Sequence, residues 1–224
     1  MFPFPAKSLL LLLFAAFLLA SSLYSAECPL ERHSTDPQEL EKQMDAMWNR
    51  GFAPVGMEMI RNGKDAGAWV LYTQREGSEY RAWSLVEYDS EKDLEADLNR
   101  ALKDGWTPFD LSLDGDRAWV LYLRLENDAD GWKIDSARDM KELENDIRKR
   151  AEEDSIPVGL STDENDDIHA LFLHIPGHDI SEWKIQSYAD IPSMEKDLDT
   201  LTSQGWQPYG FMLRERKLHV LLLK

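Results

Sequence analysis

Residues 104–113 read DGWTPFDLSL, and residues 204–213 read QGWQPYGFML. Gly-Trp-x-Pro thus recurs a hundred residues apart. Aligning the chain on its proline exposes two further copies: Pro54 in GFAP and Pro157 in SIPV, beside Pro108 and Pro208. The spacings are 54, 49 and 51 residues. Such a period marks tandem supersecondary units.

Fourteen residues before each proline stands an apolar residue: Leu40, Leu94, Leu143 and Met194. Four residues on come Met44, Leu98, Ile147 and Leu198, and the stripe continues through Met47, Ala101, Ala151 and Leu201. That spacing predicts one amphipathic helix per unit. Asp36, Ser90, Asp139 and Asp190 stand four residues ahead of each stripe, as N-cap types whose oxygens satisfy first-turn N–H groups. Glu39 and Glu142 are placed to complete capping boxes, and Pro37 and Pro192 fall where a first helical turn tolerates proline.

The repeated motif then reads as punctuation. Gly51, Gly105 and Gly205 stop the helices through a left-handed turn, and Phe52, Trp106 and Trp206 fold back on the last turn. The prolines open a strand. The third copy has Asp154 and Ser155 there, which predicts the weakest helix end.

A hairpin follows each proline. Its second strands are AWVLY (68–72), AWVLY (118–122), HALFL (169–173) and HVLLL (219–223). The turns before them read DAG, DGD, DEND and RERK. WSLVEY, WKIDSA and WKIQSY, opening on Trp83, Trp132 and Trp183, supply a further strand eleven residues ahead of the next stripe. The unit is β-α-β-β, and the fold class is α+β with one helix on a short antiparallel sheet, four times over. At Pro29 the opening pattern is lost, so the first unit lacks its first strand or keeps a poor one. The organisation is a signal peptide (1–26), then repeats over 27–80, 81–130, 131–180 and 181–224. A unit of this size is a marginal core alone. The expectation is that units pair, side by side into longer sheets or back to back.

The order W-x-I-x-x-Y, helix, Gly-Trp, hairpin resembles the small bacterial domains of unknown function called DUF4177. The match is best at 81–125 and 182–224, and partial at 131–175 and 37–75. A second resemblance is to extracellular bacterial tandem-repeat domains with W…GY-x-P patterns. Neither resemblance brings a catalytic residue with it.

The N-terminus sets the compartment. Lys7, an apolar run through Leu19 and the small residues after it follow the secretory pattern, and the run is shorter than the roughly 20 residues of a spanning helix. The expected location is secreted or periplasmic, with an uncleaved anchor and lipid attachment at Cys28 as secondary readings. Glu27 departs from the small residue a lipoprotein signal places there. Cys28 is the only cysteine, so no intrachain disulfide forms, and it reads as a free thiol in a flexible tail. Removing residues 1–26, whose one charge is Lys7, takes the net charge from −17 to −18. Such a chain repels phosphate backbones and anionic lipid, which argues against nucleic acid as a partner.

No catalytic set is assigned. No serine sits in a nucleophile elbow. His169, His174 and His178 are close in sequence, but Pro176 and Gly177 exclude a helical metal pair, so they read as strand-end histidines. ENDADGW (126–132) echoes a calcium loop through Asp128, Asp130 and Gly131, yet Ala137 stands where its bidentate acid belongs. It reads as a solvated turn, as do TDENDD and DGD. No cofactor and no metal are expected. The tryptophans read as core. The functional expectation is a non-catalytic binding protein for a protein or cell-envelope partner. Carbohydrate or peptidoglycan recognition and a hydrolase with an inter-repeat site are the alternatives.

Overall fold

A computed structural model describes residues 28–60, 66–75, 80–115, 117–125, 129–176 and 182–224. Unit 1 comprises β1 (Leu30–His33), α1 (Pro37–Asn49), β2 (Phe52–Ile60) and β3 (Gly67–Gln74). Unit 2 comprises β4 (Ala82–Tyr88), α2 (Glu91–Lys103), β5 (Thr107–Asp114) and β6 (Arg117–Arg124). Unit 3 comprises β7 (Gly131–Ala137), α3 (Met140–Ala151), β8 (Ser155–Thr162) and β9 (Ile168–His174). Unit 4 comprises β10 (Trp183–Tyr188), α4 (Ile191–Ser203), β11 (Gln207–Arg214) and β12 (Lys217–Leu223). Each unit forms its own antiparallel sheet, with the third strand between the first and second. The helix is therefore the crossover between two parallel outer strands.

The local signals act as the sequence predicts. Asp36, Ser90, Asp139 and Asp190 each accept the N–H three residues on, at 3.0, 3.2, 2.9 and 2.8 Å. Gly51, Gly105 and Gly205 turn the chain at φ of +92°, +78° and +89°. The N–H groups of Trp106 and Trp206 reach back to the carbonyls of Ala101 and Leu201. In unit 3 the same stop is made by Asp154 at φ +53°. The capping boxes are not formed. Glu142 accepts from the N–H of Arg138, one residue before the cap, and Glu39 from the side chains of Lys42 and Gln43.

The expectation that units pair is corrected: they close into a ring. Alternation along the middle strands shows how. In β6, Ala118, Val120 and Tyr122 pack with Leu94 and Leu98 of their own helix α2. Trp119 and Leu121 point the other way, into the cluster of Leu40 and Met44 on α1. In β9, Ala170 and Phe172 join Leu143 and Ile147 of α3, while Leu171 and Leu173 join α2. In β12, Val220 and Leu222 join α4, while Leu221 and Leu223 join α3. In β3, Val70 and Tyr72 join α1, while Leu71 joins α4. Each helix is clamped between its own sheet and the back of the next sheet, and α4 closes on unit 1. Middle strands buried on both faces explain the near-continuous apolar runs AWVLY and HVLLL. A single fully buried leucine of this kind contributes about 1.5–3 kcal/mol.

The opening strand of unit 1 survives as the short edge β1, and it performs the closure. Its Leu30 N–H donates to Glu195 Oε1 on α4 at 3.2 Å. Cys28 is fully buried in the same cluster, with its Sγ 3.8 Å from Thr73 Oγ1. The reading of Cys28 as a thiol in a free tail is therefore overturned: burial beside Leu30 and Leu71 fixes it. Among the described residues, no helix is long and apolar enough to cross a membrane.

Candidate functional site: the axis and the groove between units 2 and 3

The second strands β2, β5, β8 and β11 meet in succession around the ring axis, and β11 returns to β2. Each carries a bulge just after its proline. Two residues beyond each proline stand Gly56, Asp110, Gly159 and Gly210. A Cβ on Gly210 would lie 2.9 Å from the Cα of Gly159, and one on Gly159 would lie 2.8 Å from the Cα of Asp110. Backbones approach this closely only without side chains between them.

Unit 2 breaks the glycine pattern because its aspartate does a job there. The second strands are sheet edges with free N–H groups, which burial makes costly. The Asp110 carboxylate, fully buried, accepts the N–H of Met57 at 2.5 Å, of Leu111 at 2.9 Å and of Leu160 at 3.1 Å. One side chain thus ties units 1, 2 and 3. Ser112 accepts the N–H of Met59 and Ser161 that of Leu113, so the seams between units 1 and 2 and between units 2 and 3 each have a further side-chain acceptor. Glu58, 4 % exposed, completes the axis, and its Oε2 has no hydrogen-bond partner. Burial, with the charge of Asp110 added, pushes the Glu58 carboxyl well above its ordinary range against bonds from Thr162 and Ser161. Burial also raises Asp110, opposed by its three N–H donors. These carboxyls are sealed from solvent and act as structural joints.

Beside these joints lies the seam between units 2 and 3. It opens into a groove of about 920 Å³. Leu111, Leu113, Trp132 and Ile134 form apolar walls, and Ser90, at the start of α2, stands at one side. Arg117 and Lys133 line the groove but are neutralised in place. Arg117 lies 2.6 Å from Glu87 and 3.7 Å from Asp89, and Lys133 lies 3.5 Å from Asp135.

In the lining of the groove, Ser136 on β7 and His169 on β9 are opposite each other in register. Ser136 Oγ lies 2.9 Å from His169 Nδ1. His169 Nε2 lies 3.3 Å from Asp163 Oδ2. That contact is a close approach rather than a well-aligned hydrogen bond, since Nε2 has no partner of good geometry. Burial opposes ionisation of Asp163, but the N–H groups of Asp167 and Asn165, with His169, hold its carboxyl below the usual range. DEND, read as a solvated turn, is a turn in which Asp163 is also turned toward a histidine.

The remaining sequence candidates are placed elsewhere. Trp132 donates its Nε1–H to Asn99 on α2, Trp183 lies beneath Arg148 of α3, and Trp83 packs on the α1 cluster. Each opening tryptophan thus docks on the preceding unit's helix. Trp106 and Trp206 lie in separate clusters, next to Arg124 and Lys184. Pro54, Pro108, Pro157 and Pro208 sit at the axis bulges. His174 pairs with Asp130 at 2.5 Å. His178 and Asp128 lie outside the described residues. Among the described residues, no group of three or more His, Cys, Asp and Glu has the geometry of a metal site.

Neither a family model nor a curated protein is similar enough to this chain to place it. The site therefore rests on its own geometry. Sequence reasoning missed the Ser–His pair by searching for a nucleophile elbow. The available signal was recurrence: Ser136 and Ser187 both stand 21 residues before their prolines, and His169 and His219 both open the hairpin's second run.

Proposed function

We propose that this is a secreted or periplasmic binding protein, a rigid ring whose open seam between units 2 and 3 receives its partner. The groove carries this reading. At the seam between units 3 and 4 Arg214 crosses between the units, whereas here the equivalent parts leave a walled, half-apolar space. The N-terminal pattern of a positive residue, an apolar run and small residues supports the compartment. The net charge of −17 disfavours nucleic acid and anionic lipid as partners. All eight tryptophans are buried or half-buried, which favours a protein or envelope component in the groove over sugar stacking on free indoles.

The test uses a matched pair of substitutions. Leu113 lines the groove, and Leu213 holds the same place in unit 4. The full mature protein, Leu113→Trp and Leu213→Trp are immobilised and exposed to the envelope fraction of the source cell. The expected result is a component retained by the parent and by Leu213→Trp but lost with Leu113→Trp. Equal retention by all three contradicts the groove as the binding place.

A further inference from the structure

The Ser–His pair occurs twice, and the two copies differ in what surrounds them. In unit 4, Ser187 Oγ lies 2.8 Å from His219 Nδ1, in the same cross-strand register. His219 is only 6 % exposed, and the side chain six residues after the proline is Arg214. In unit 3 that place is taken by Asp163, and the pair opens on the groove with Ser136 exposed. A Ser–His contact alone is thus a cross-strand device of this fold. Both serines are exposed; what unit 3 adds is the carboxylate, a less buried imidazole and the groove in front of the pair.

We propose that Ser136 is the nucleophile of an ester-hydrolysing site in this groove, with His169 as its general base and Asp163 as the carboxylate that orients the imidazole. The inference goes beyond binding and stands or falls separately from it. Ser136 Oγ–H donates to Nδ1 only when the ring proton sits on Nε2, and Asp163 faces that nitrogen. The two ring nitrogens therefore exchange the roles they take in the familiar serine-protease triad, and the proton relay is chemically equivalent. The substrate class is a carboxylic ester with an apolar acyl group, which Leu111, Leu113, Ile134 and Trp132 suit.

The step balances without a co-reactant other than water. Ser136 Oγ bonds to the carbonyl carbon as its proton passes to His169 Nδ1. The carbonyl–alkoxy C–O bond then breaks, and the alkoxide leaves as an alcohol with that proton. Water attacks the acyl-serine by the same route, His169 taking and returning one proton, and releases the acid and free Ser136.

The experiment pairs a fluorophosphonate bearing an alkyl chain with p-nitrophenyl butyrate, on the full mature protein. The expected result is a phosphonyl adduct mapped to Ser136, with none on Ser187. Ester hydrolysis should vanish in Ser136→Ala and persist in Ser187→Ala. His169→Ala should slow labelling by about a hundredfold or more, the usual contribution of a general base. Asp163→Asn keeps an oxygen for the Asn165 and Asp167 N–H groups and should still slow labelling without lowering the melting temperature. Absence of an adduct on Ser136 in a folded protein, equal labelling of Ser187, or hydrolysis unchanged in Ser136→Ala would overturn the proposal. Retention of the envelope component would be unaffected by any of these outcomes.

Discussion

The seam between units 3 and 4 and the seam between units 2 and 3 are built from equivalent parts, and one is fastened where the other stands open. At the first, Arg214 crosses from unit 4 to donate to the Arg138 carbonyl at 3.1 Å and to Asp166 at 3.2 Å. Met140, the first residue of α3, packs into the same cluster as Leu221 and Leu223. At the second, the residue in Arg214's place is Asp163, which turns back to cap its own hairpin. One substitution in the repeat pattern, Asp163 for Arg214, thus separates a fastened seam from a groove. In a repeated scaffold, the places where one copy departs from the others are the places to look for function.

The comparison assumes a common axis joining all seams, and the largest expected effect lies there. Asp110→Ala leaves the N–H groups of Met57, Leu111 and Leu160 without their acceptor. At about 1–3 kcal/mol for each orphaned group, stability should fall by about 3 kcal/mol or more in urea unfolding. A loss below about 1 kcal/mol would mean the units are not tied through this carboxylate.

Gly210→Ala probes the other seam at the same level. Its φ of +69° and the Gly159 Cα at 2.9 Å from the new Cβ predict a cost of about 2–3 kcal/mol. A neutral substitution would separate the two backbones and break the ring between units 3 and 4.

The axis also predicts a pH dependence. Glu58 holds its proton in the folded chain to a higher pH than in the unfolded chain, because burial and Asp110 raise it above 4.5. The folded state then binds more protons, so this group's contribution is complete at low pH and falls as pH rises towards its folded pKa. Glu58→Gln should therefore gain stability relative to the parent between about pH 5 and 8, measured by urea unfolding across that range. A stability difference that does not change with pH would place Glu58 in contact with solvent.

The smallest effect separates the two seams directly. Arg214→Ala removes the strap of the closed seam and should cost about 1 kcal/mol. Its clearer readout is chemical: diethylpyrocarbonate should modify His219 faster, approaching the rate of His169. If His219 stays as slow as in the parent, Arg214 is not what closes the seam.

Much of this fold is legible in the sequence because its elements are locally determined. Asp36, Ser90, Asp139 and Asp190 start helices by their own side chains, and Gly51, Gly105 and Gly205 stop them by their own backbone. The closed ring is not local. It joins sheet edges through Asp110, Ser112, Ser161 and Glu58, residues whose partners lie in other units. Two traces of it were present all the same. AWVLY and HVLLL are apolar at consecutive positions, which a strand with one wet face is not, and Gly56, Gly159 and Gly210 recur at one offset with Asp110 as the exception. The Ser136 pair was hidden for a related reason, since strand register rather than sequence proximity brings it to His169. Cys28 was misplaced because ECPLERHS lacks the opening tryptophan, although its Leu30 still pairs with Leu71.

Hydrogen exchange read residue by residue tests the closed ring most directly. The N–H groups of Met57, Met59, Leu113 and Leu160 sit on sheet edges and are bonded only to side chains across the axis. A closed ring predicts that they exchange as slowly as Val70 and Val120 in the middle strands, at the rate of global unfolding. Exchange of those four as fast as in fraying edge strands, with the middle strands still protected, would show four separate units and no common axis.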